Sequence, residues 1–391
     1  MNAYVTTQGA KIVKEGRHLV VKKDEGFKQT LFMHRLDQLV IFGSIEISSR
    51  ALGQLFKESV DTVFLTRNGR YLGRLALQEP KNVFLRRKQH RLQEDKSFGT
   101  KMARVITRGK LLNMATLLMR IHRTREARDV RQKAQEIRNL LPLLDKAEDT
   151  DSIRGYEGRG SAVYFSAFGR GFIKNPGFAR RVRRPPTDPV NSVLSLLYTF
   201  LMNRVYAGVR LANLDPYLGH LHSLEYGRYS LVLDLMEEFR TIIADTLTLS
   251  LFNMNILDSE KHFEIQKPDE LEDQENDGDS AGHDPVPDVT LDPVGQISPL
   301  ELSAPLFDLP EQRVESDTVA VTVPTGRYPV MVTPEGMTKI IHAFEKKLTT
   351  KFFHPPADRE LTYSEAINFQ AQQYRKLVEG EADSYQPLLL K

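Results

Sequence analysis

Near residue 85 the spacing of apolar residues changes, and this change constrains the fold more than any other feature of the 391-residue chain. Before it, short runs alternate with the period of two that a half-buried strand requires. After it, apolar residues return every three or four positions, as along one face of a helix. Residues 3–7, 10–14, 18–22, 30–33, 39–42 and 60–66 read as strands separated by turn-formers. Asn68-Gly69 marks a hairpin, because both residues tolerate positive φ. One short helix interrupts the strands, N-capped by Ser48 and presenting Leu52, Leu55 and Phe56 on one face. The expected class is α+β in two domains, a sandwich-like β-rich domain over residues 1–85 and a larger all-α domain over residues 86–391.

Helix starts punctuate the second part. Asp188-Pro189 combines a capping carboxylate with a proline at the first helical position, where its missing N–H costs nothing. The helix behind it is apolar nearly all round, so it is expected to be buried. Thr333-Pro334-Glu335 opens another helix, with Met337, Ile340, Ile341 and Phe344 at helical spacing, and residues 362–377 form the last. Between them, residues 267–313 are acidic and proline-rich, too polar to build a core, and are read as a disordered insertion.

The net charge of +3 conceals an asymmetry. Residues 81–140 hold 17 Lys and Arg against 5 Asp and Glu, whereas residues 268–302 hold 11 acidic residues and no Lys or Arg. The absence of cysteine excludes disulfides, thiolate zinc sites, iron-sulfur clusters and a cysteine nucleophile, so any metal must sit on oxygen and imidazole. The first residues lack the pattern of a secretory signal, and no apolar run reaches the ~18 residues of a membrane span. A cytoplasmic location without membrane contact is the expectation.

Three segments could carry chemistry. In residues 231–252, placed on a helix, Leu235, Met236, Phe239, Ile242, Ile243 and Leu247 share one face, with Asp234, Glu237, Glu238 and Asp245 opposite. Carboxylates one turn apart repel unless a cation or a shared proton holds them, which makes them half of a hard-metal site. The same spacing suits the wet face of an amphipathic helix, and it does not choose between Glu237 and Glu238. Twelve residues before Asp234 lies Gly219-His220-Leu221-His222, whose two histidines fall on one side of an extended segment. Imidazole with carboxylates suits Mg²⁺ or Mn²⁺ on phosphates better than zinc hydrolysis. Third, Glu157 lies within Arg154-Gly155-Tyr156-Glu157-Gly158-Arg159-Gly160, on a helix whose glycines each cost roughly 0.5 to 1 kcal/mol relative to alanine. Close approach of another helix or of a nucleic-acid backbone would offset that cost.

Basic residues supply a second line. Arg86, Arg87, Lys88, Arg91, Lys101, Arg104, Arg108, Lys110, Arg120, Arg123, Arg125 and Arg128 are followed by Arg170, Lys174, Arg180, Arg181, Arg183 and Arg184. Such clusters form a track for phosphates, with salt-sensitive binding, and they equally suit a solvated face. Tyr156, Tyr164 and Tyr217 stand nearby as platforms for splayed bases.

Several segments together resemble one family, the adaptation nuclease that is the first of the numbered CRISPR-associated proteins. They are LVIFGSIEIS at residues 39–48, VFLTRNGRYLGRL at 63–75, RGYEG at 154–158, RPPTDPVN at 184–191, DPYLG at 215–219, Leu221-His222, and LDLMEEFR at 233–240. The resemblance implies a divalent metal, Mg²⁺ or Mn²⁺, held by Glu157, His222 and Glu237, with Asp234 beside them as a fourth catalytic residue. It thereby selects Glu237 over Glu238 and His222 over His220. It also implies integration of a captured double-stranded DNA fragment into CRISPR repeat DNA, by a homodimer working with a small ferredoxin-like partner that bridges two dimers. Glutamate stands at position 237 where the family often has aspartate, and the acidic stretch is longer than the usual linker. The competing readings are a transposon-type integrase of the same superfamily, a branched-DNA repair nuclease, and a DNA-binding scaffold with an inert site.

Overall fold

The computed structural model describes residues 2–23, 26–77, 82–182, 185–265 and 328–390. The acidic stretch 267–313, Arg183 and Arg184 lie outside the described residues. The architecture is α+β, with strands first and helices after.

The strands are β1 (Asn2–Val5), β2 (Lys11–Glu15), β3 (His18–Lys23), β4 (Phe27–Phe32), β5 (Gln38–Phe42), β6 (Glu46–Ile47), β7 (Asp61–Leu65) and β8 (Tyr71–Arg74). They form two four-stranded sheets, in the orders β1-β5-β7-β8 and β4-β3-β2-β6. Asn68-Gly69 does join an antiparallel pair, β7 and β8. Between β6 and β7 runs helix α1 (Ser49–Lys57), with the Ser48 hydroxyl accepting from the Ala51 N–H. Its Leu55 is buried, whereas Phe56 is half exposed rather than packed with it.

The first sheet has two apolar faces. Ala3, Val5, Leu39 and Ile41 pack on Ile12, Leu19, Val21 and Leu31 of the second sheet, giving a small sandwich core. Val40, Phe42, Val63 and Leu65 point the other way and join the large core of the helices. Strand alternation thus glues this sheet to both neighbours.

The helices are α2 (Val83–Glu94), α3 (Lys96–Arg125), α4 (Arg128–Asp145), α5 (Thr150–Phe168), α6 (Pro189–Leu211) and α7 (Ser230–Phe239). A π-helical turn, Arg240–Asp245, then leads without a break into α8 (Thr246–Asn253). After strand β9 (Phe263–Ile265) and its antiparallel partner β10 (Val330–Val332) come α9 (Pro334–Leu348), the hairpin β11 (Lys351–His354) and β12 (Arg359–Thr362), and α10 (Tyr363–Glu379). The sequence signals hold at each start: Asp188 caps α6 through the Asn191 N–H, Thr333 caps α9, and Thr362 with Glu365 forms a reciprocal capping box on α10. Helix α6 is buried along most of its length, as its composition requires. Among the described residues no helix is long and apolar enough to cross a membrane.

The π turn corrects the helical projection of residues 231–252. A wider turn carries extra residues per revolution, so positions beyond 239 rotate away from the faces that 100° per residue assigns them. The carboxylates are not a wet face at all: Asp234, Glu237, Glu238 and Asp245 are each 1–2% exposed. A buried carboxylate needs its own partners, and each of the four has a different set.

Candidate active site

Asp234 shapes the loop that bears the histidines. Its carboxylate accepts the backbone N–H groups of His220 at 2.6 Å, Leu221 at 3.0 Å and His222 at 2.9 Å. Glycine is required at position 219, because a Cβ there would meet the Ser230 carbonyl carbon at 2.5 Å. The His222 ring donates Nδ1–H to Asp234 at 2.7 Å, which leaves Nε2 as the free nitrogen, 3.7 Å from Glu237 Oε1. His220 turns the opposite way, with Nε2 at 2.9 Å from the Tyr374 hydroxyl and its ring edge-on to Phe98. Burial holds its pKa below the usual imidazole value.

Glu157 projects from α5. Arg154, one turn earlier, donates to the Leu221 carbonyl at 2.7 Å, so α5 and the histidine loop are tied together beside it. The Ser161 hydroxyl donates to Glu157 Oε1 at 2.8 Å. The glycines around Glu157 divide in two. A Cβ at Gly160 would collide with Leu111 of α3, so this position serves helix packing, whereas Gly155 and Gly158 are exposed and a Cβ on either would meet open space.

Lys110 of α3 brings Glu157 and Glu237 together. Its ammonium hydrogen-bonds Glu157 Oε1 and lies 2.6 Å from Glu237 Oε2. The ammonium thus pairs with one oxygen of each glutamate. Arg240 donates to the other oxygen of Glu237 at 3.0 Å and stacks over Tyr198 at 4.7 Å. Burial pushes the Glu237 carboxyl up, but Arg240, Lys110 and His222 outweigh it and hold it down at about 2. Glu157 is held below the usual carboxylate range as well, the Lys110 ammonium prevailing over burial. Both are therefore anions at neutral pH. Among the described residues no three His, Asp or Glu side chains, as oriented here, stand close enough to one point to hold a metal ion. The ammonium occupies the space where Glu157 and Glu237 converge.

The remaining carboxylates serve the fold. Asp245 accepts the hydroxyls of Tyr164 at 2.8 Å and Tyr198 at 2.7 Å. Glu238 accepts from the Tyr385 hydroxyl, the Leu388 N–H and, at 2.9 Å, the Gln370 amide, clamping the C-terminal strap against the helices. Burial pushes its pKa up to about 7. Substituting Glu238 by alanine leaves the buried Tyr385 hydroxyl and Leu388 N–H without their acceptor, while the Gln370 amide keeps the Gln386 carbonyl, and a destabilisation of about 2–4 kcal/mol is expected. Hydrogen exchange should show the strap amides around Leu388 losing protection in that variant, and unchanged protection would contradict the clamp.

Not every residue expected at the DNA does stand there. Tyr164 is fully buried against Asp245 and packed on Phe168, so it cannot stack on a base. Tyr217 is 43% exposed but leans on Tyr229, with ring centroids 4.9 Å apart. Arg181 donates to Asn191 and to the Val182 carbonyl, which ties it to the start of α6. Arg180 is exposed. Within the first basic cluster, Arg104 reaches the Ala147 carbonyl and Arg108 chelates Asp145 at 2.8 Å, so both join α3 to the end of α4. Lys110 was expected on the phosphate track and sits at the carboxylates instead. Its spacing could have revealed this, because Ala103, Ile106, Lys110, Met114 and Leu117 all lie on the buried face of α3. Ser161 and Arg240 were missed as holders of the two glutamates, although each lies one helical turn beyond the glutamate it holds, four residues after Glu157 and three after Glu237.

The model of the family "CRISPR associated protein Cas1" matches residues 3–272. A CRISPR-associated endonuclease Cas1 of Chlorobaculum tepidum is 34% identical over 271 residues, which cover 68% of this chain and 79% of that protein. Among solved structures, the chain in a Cas6-RT-Cas1–Cas2 complex aligns with 99% of this chain at a TM-score of 0.74 and 19% identity. This chain spans 36% of that longer polypeptide. A casposase bound to integration product aligns with 99% of this chain and 91% of its own length, at a TM-score of 0.72 and 19% identity. The protein is thus a CRISPR-associated endonuclease. Within that class, it belongs to the Cas1 family.

Proposed function

We propose that the chain carries out CRISPR adaptation by phosphodiester transesterification, joining the 3′-hydroxyl of a captured double-stranded DNA fragment to repeat DNA. The observation that carries this reading is the meeting of two anions, partly buried Glu157 and buried Glu237, around a single cation, with the free nitrogen of His222 at 3.7 Å from Glu237. The donor set fits a hard divalent cation, Mg²⁺ or Mn²⁺: two carboxylates, one imidazole whose other nitrogen is fixed by a carboxylate, and no sulfur. Glu157, His222 and Glu237 would hold it. When bound, it supplies charge to polarise the phosphodiester and to stabilise the oxygens on which negative charge develops.

The chain's own residues do the positioning. Asp234 fixes the His222 ring and the loop beneath it, Ser161 and Arg240 hold the two glutamates, and Arg154 locks the distance between α5 and the loop. Gly155 and Gly158 leave the surface beside Glu157 without side chains, which lets a sugar-phosphate backbone approach. Exposed Arg180, with Arg183 and Arg184 next to it in sequence, would contact phosphates, and Tyr217 would meet a base at the edge of the site. A homodimer with a small ferredoxin-like partner is the proposed assembly, and the likeness to a chain solved in a Cas1–Cas2 complex supports it.

Chelation tests the reading. With EDTA, cleavage and joining of a labelled duplex are expected to fall to background, and Mn²⁺ in excess should restore both. Activity that persists in chelator would overturn it.

A further inference from the structure

We propose that Lys110 is a built-in placeholder for the divalent cation: its ammonium holds Glu157 and Glu237 together until a metal displaces it. This rests on the metal reading of the same residues. The ammonium contacts one oxygen of each glutamate, in the gap between the two carboxylates. A dication bound by those oxygens would stand against the ammonium, and like charges at contact distance in a site with little water repel strongly. The two cations are therefore alternatives. The arrangement also explains why no three ligands converge here, since the carboxylates are spaced around a nitrogen with a long stem.

A placeholder has a structural reason. Without it, Glu157 and Glu237 would repel one another with Arg240 as the remaining close cation, and like charges left unpaired in a largely buried site destabilise a fold. Lys110 is suited to fill the gap because its side chain is only 8% exposed and enters from the buried face of α3. The site can thus fold before metal is present, and the metal affinity is set by competition with a tethered cation.

The test is Mn²⁺ binding by titration calorimetry and thermal melting on the full chain, comparing wild type with Lys110→Met and Lys110→Gln. Arg240→Gln serves as a control that removes a neighbouring charge from Glu237 without vacating the gap. Both Lys110 variants are expected to bind Mn²⁺ tighter by on the order of tenfold, and more than the control does. They should melt below wild type without metal and regain the wild-type melting temperature with Mn²⁺. Binding no tighter than that of the control would overturn the proposal, and so would a variant that stays unfolded in Mn²⁺, because the metal should replace the ammonium. If instead wild type takes up no Mn²⁺ that Glu157→Gln removes, the metal reading itself fails and the placeholder with it.

Discussion

Replacing Glu157 by glutamine is expected to lower both cleavage and joining of DNA by about a thousandfold or more, the scale reached when a group that stabilises transition-state charge is lost. Glutamine keeps the shape and the Ser161 contact but removes the anion that faces Lys110. Because the substitution removes an anion and none of the cations proposed to meet phosphates, duplex affinity should stay within about twofold. Single-turnover cleavage in Mn²⁺ and filter binding on the same preparation separate the two effects. Rates within tenfold of wild type would remove Glu157 from the machinery.

Asp234→Ala should be the most destabilising substitution at the site. Three backbone N–H groups and the His222 ring lose one acceptor in a place that water does not reach, and breaking such a buried charged network costs about 3–5 kcal/mol. Hydrogen exchange should rise at residues 220–222 before it rises elsewhere, and activity should fall because His222 is no longer aimed. Asp234→Asn is expected to fall between, since an amide oxygen still accepts but its NH₂ faces other donors. An alanine variant that melts with wild type would show that the loop is held by something else.

The local code of this chain was easy to read. Strand alternation, the Asn68-Gly69 turn and the caps at Ser48, Asp188, Thr333 and Thr362 depend on neighbours in sequence, and the structure repeats them. What escaped was set by partners far away. Periodicity left Asp234, Glu237, Glu238 and Asp245 open between a wet face and a metal site, because no local rule says that Lys110, Tyr385 or Tyr198 will arrive to satisfy buried carboxylates. The π turn escaped for the same reason: it is a defect in the very period used to read the helix. Tyr164 was offered to a base and found a carboxylate in the core. The resemblance to a family chose Glu237 over Glu238 and His222 over His220. In the structure Glu238 and His220 face the C-terminal strap and Tyr374 rather than Glu157.

Everything proposed for this site depends on one dication shared by Glu157, His222 and Glu237. Anomalous scattering from crystals soaked in Mn²⁺ addresses it directly. A single peak within about 2.0–2.6 Å of all three side chains is expected, with the Lys110 ammonium moved out of the gap. A peak elsewhere, or none while Lys110 still bridges the two glutamates, would contradict it.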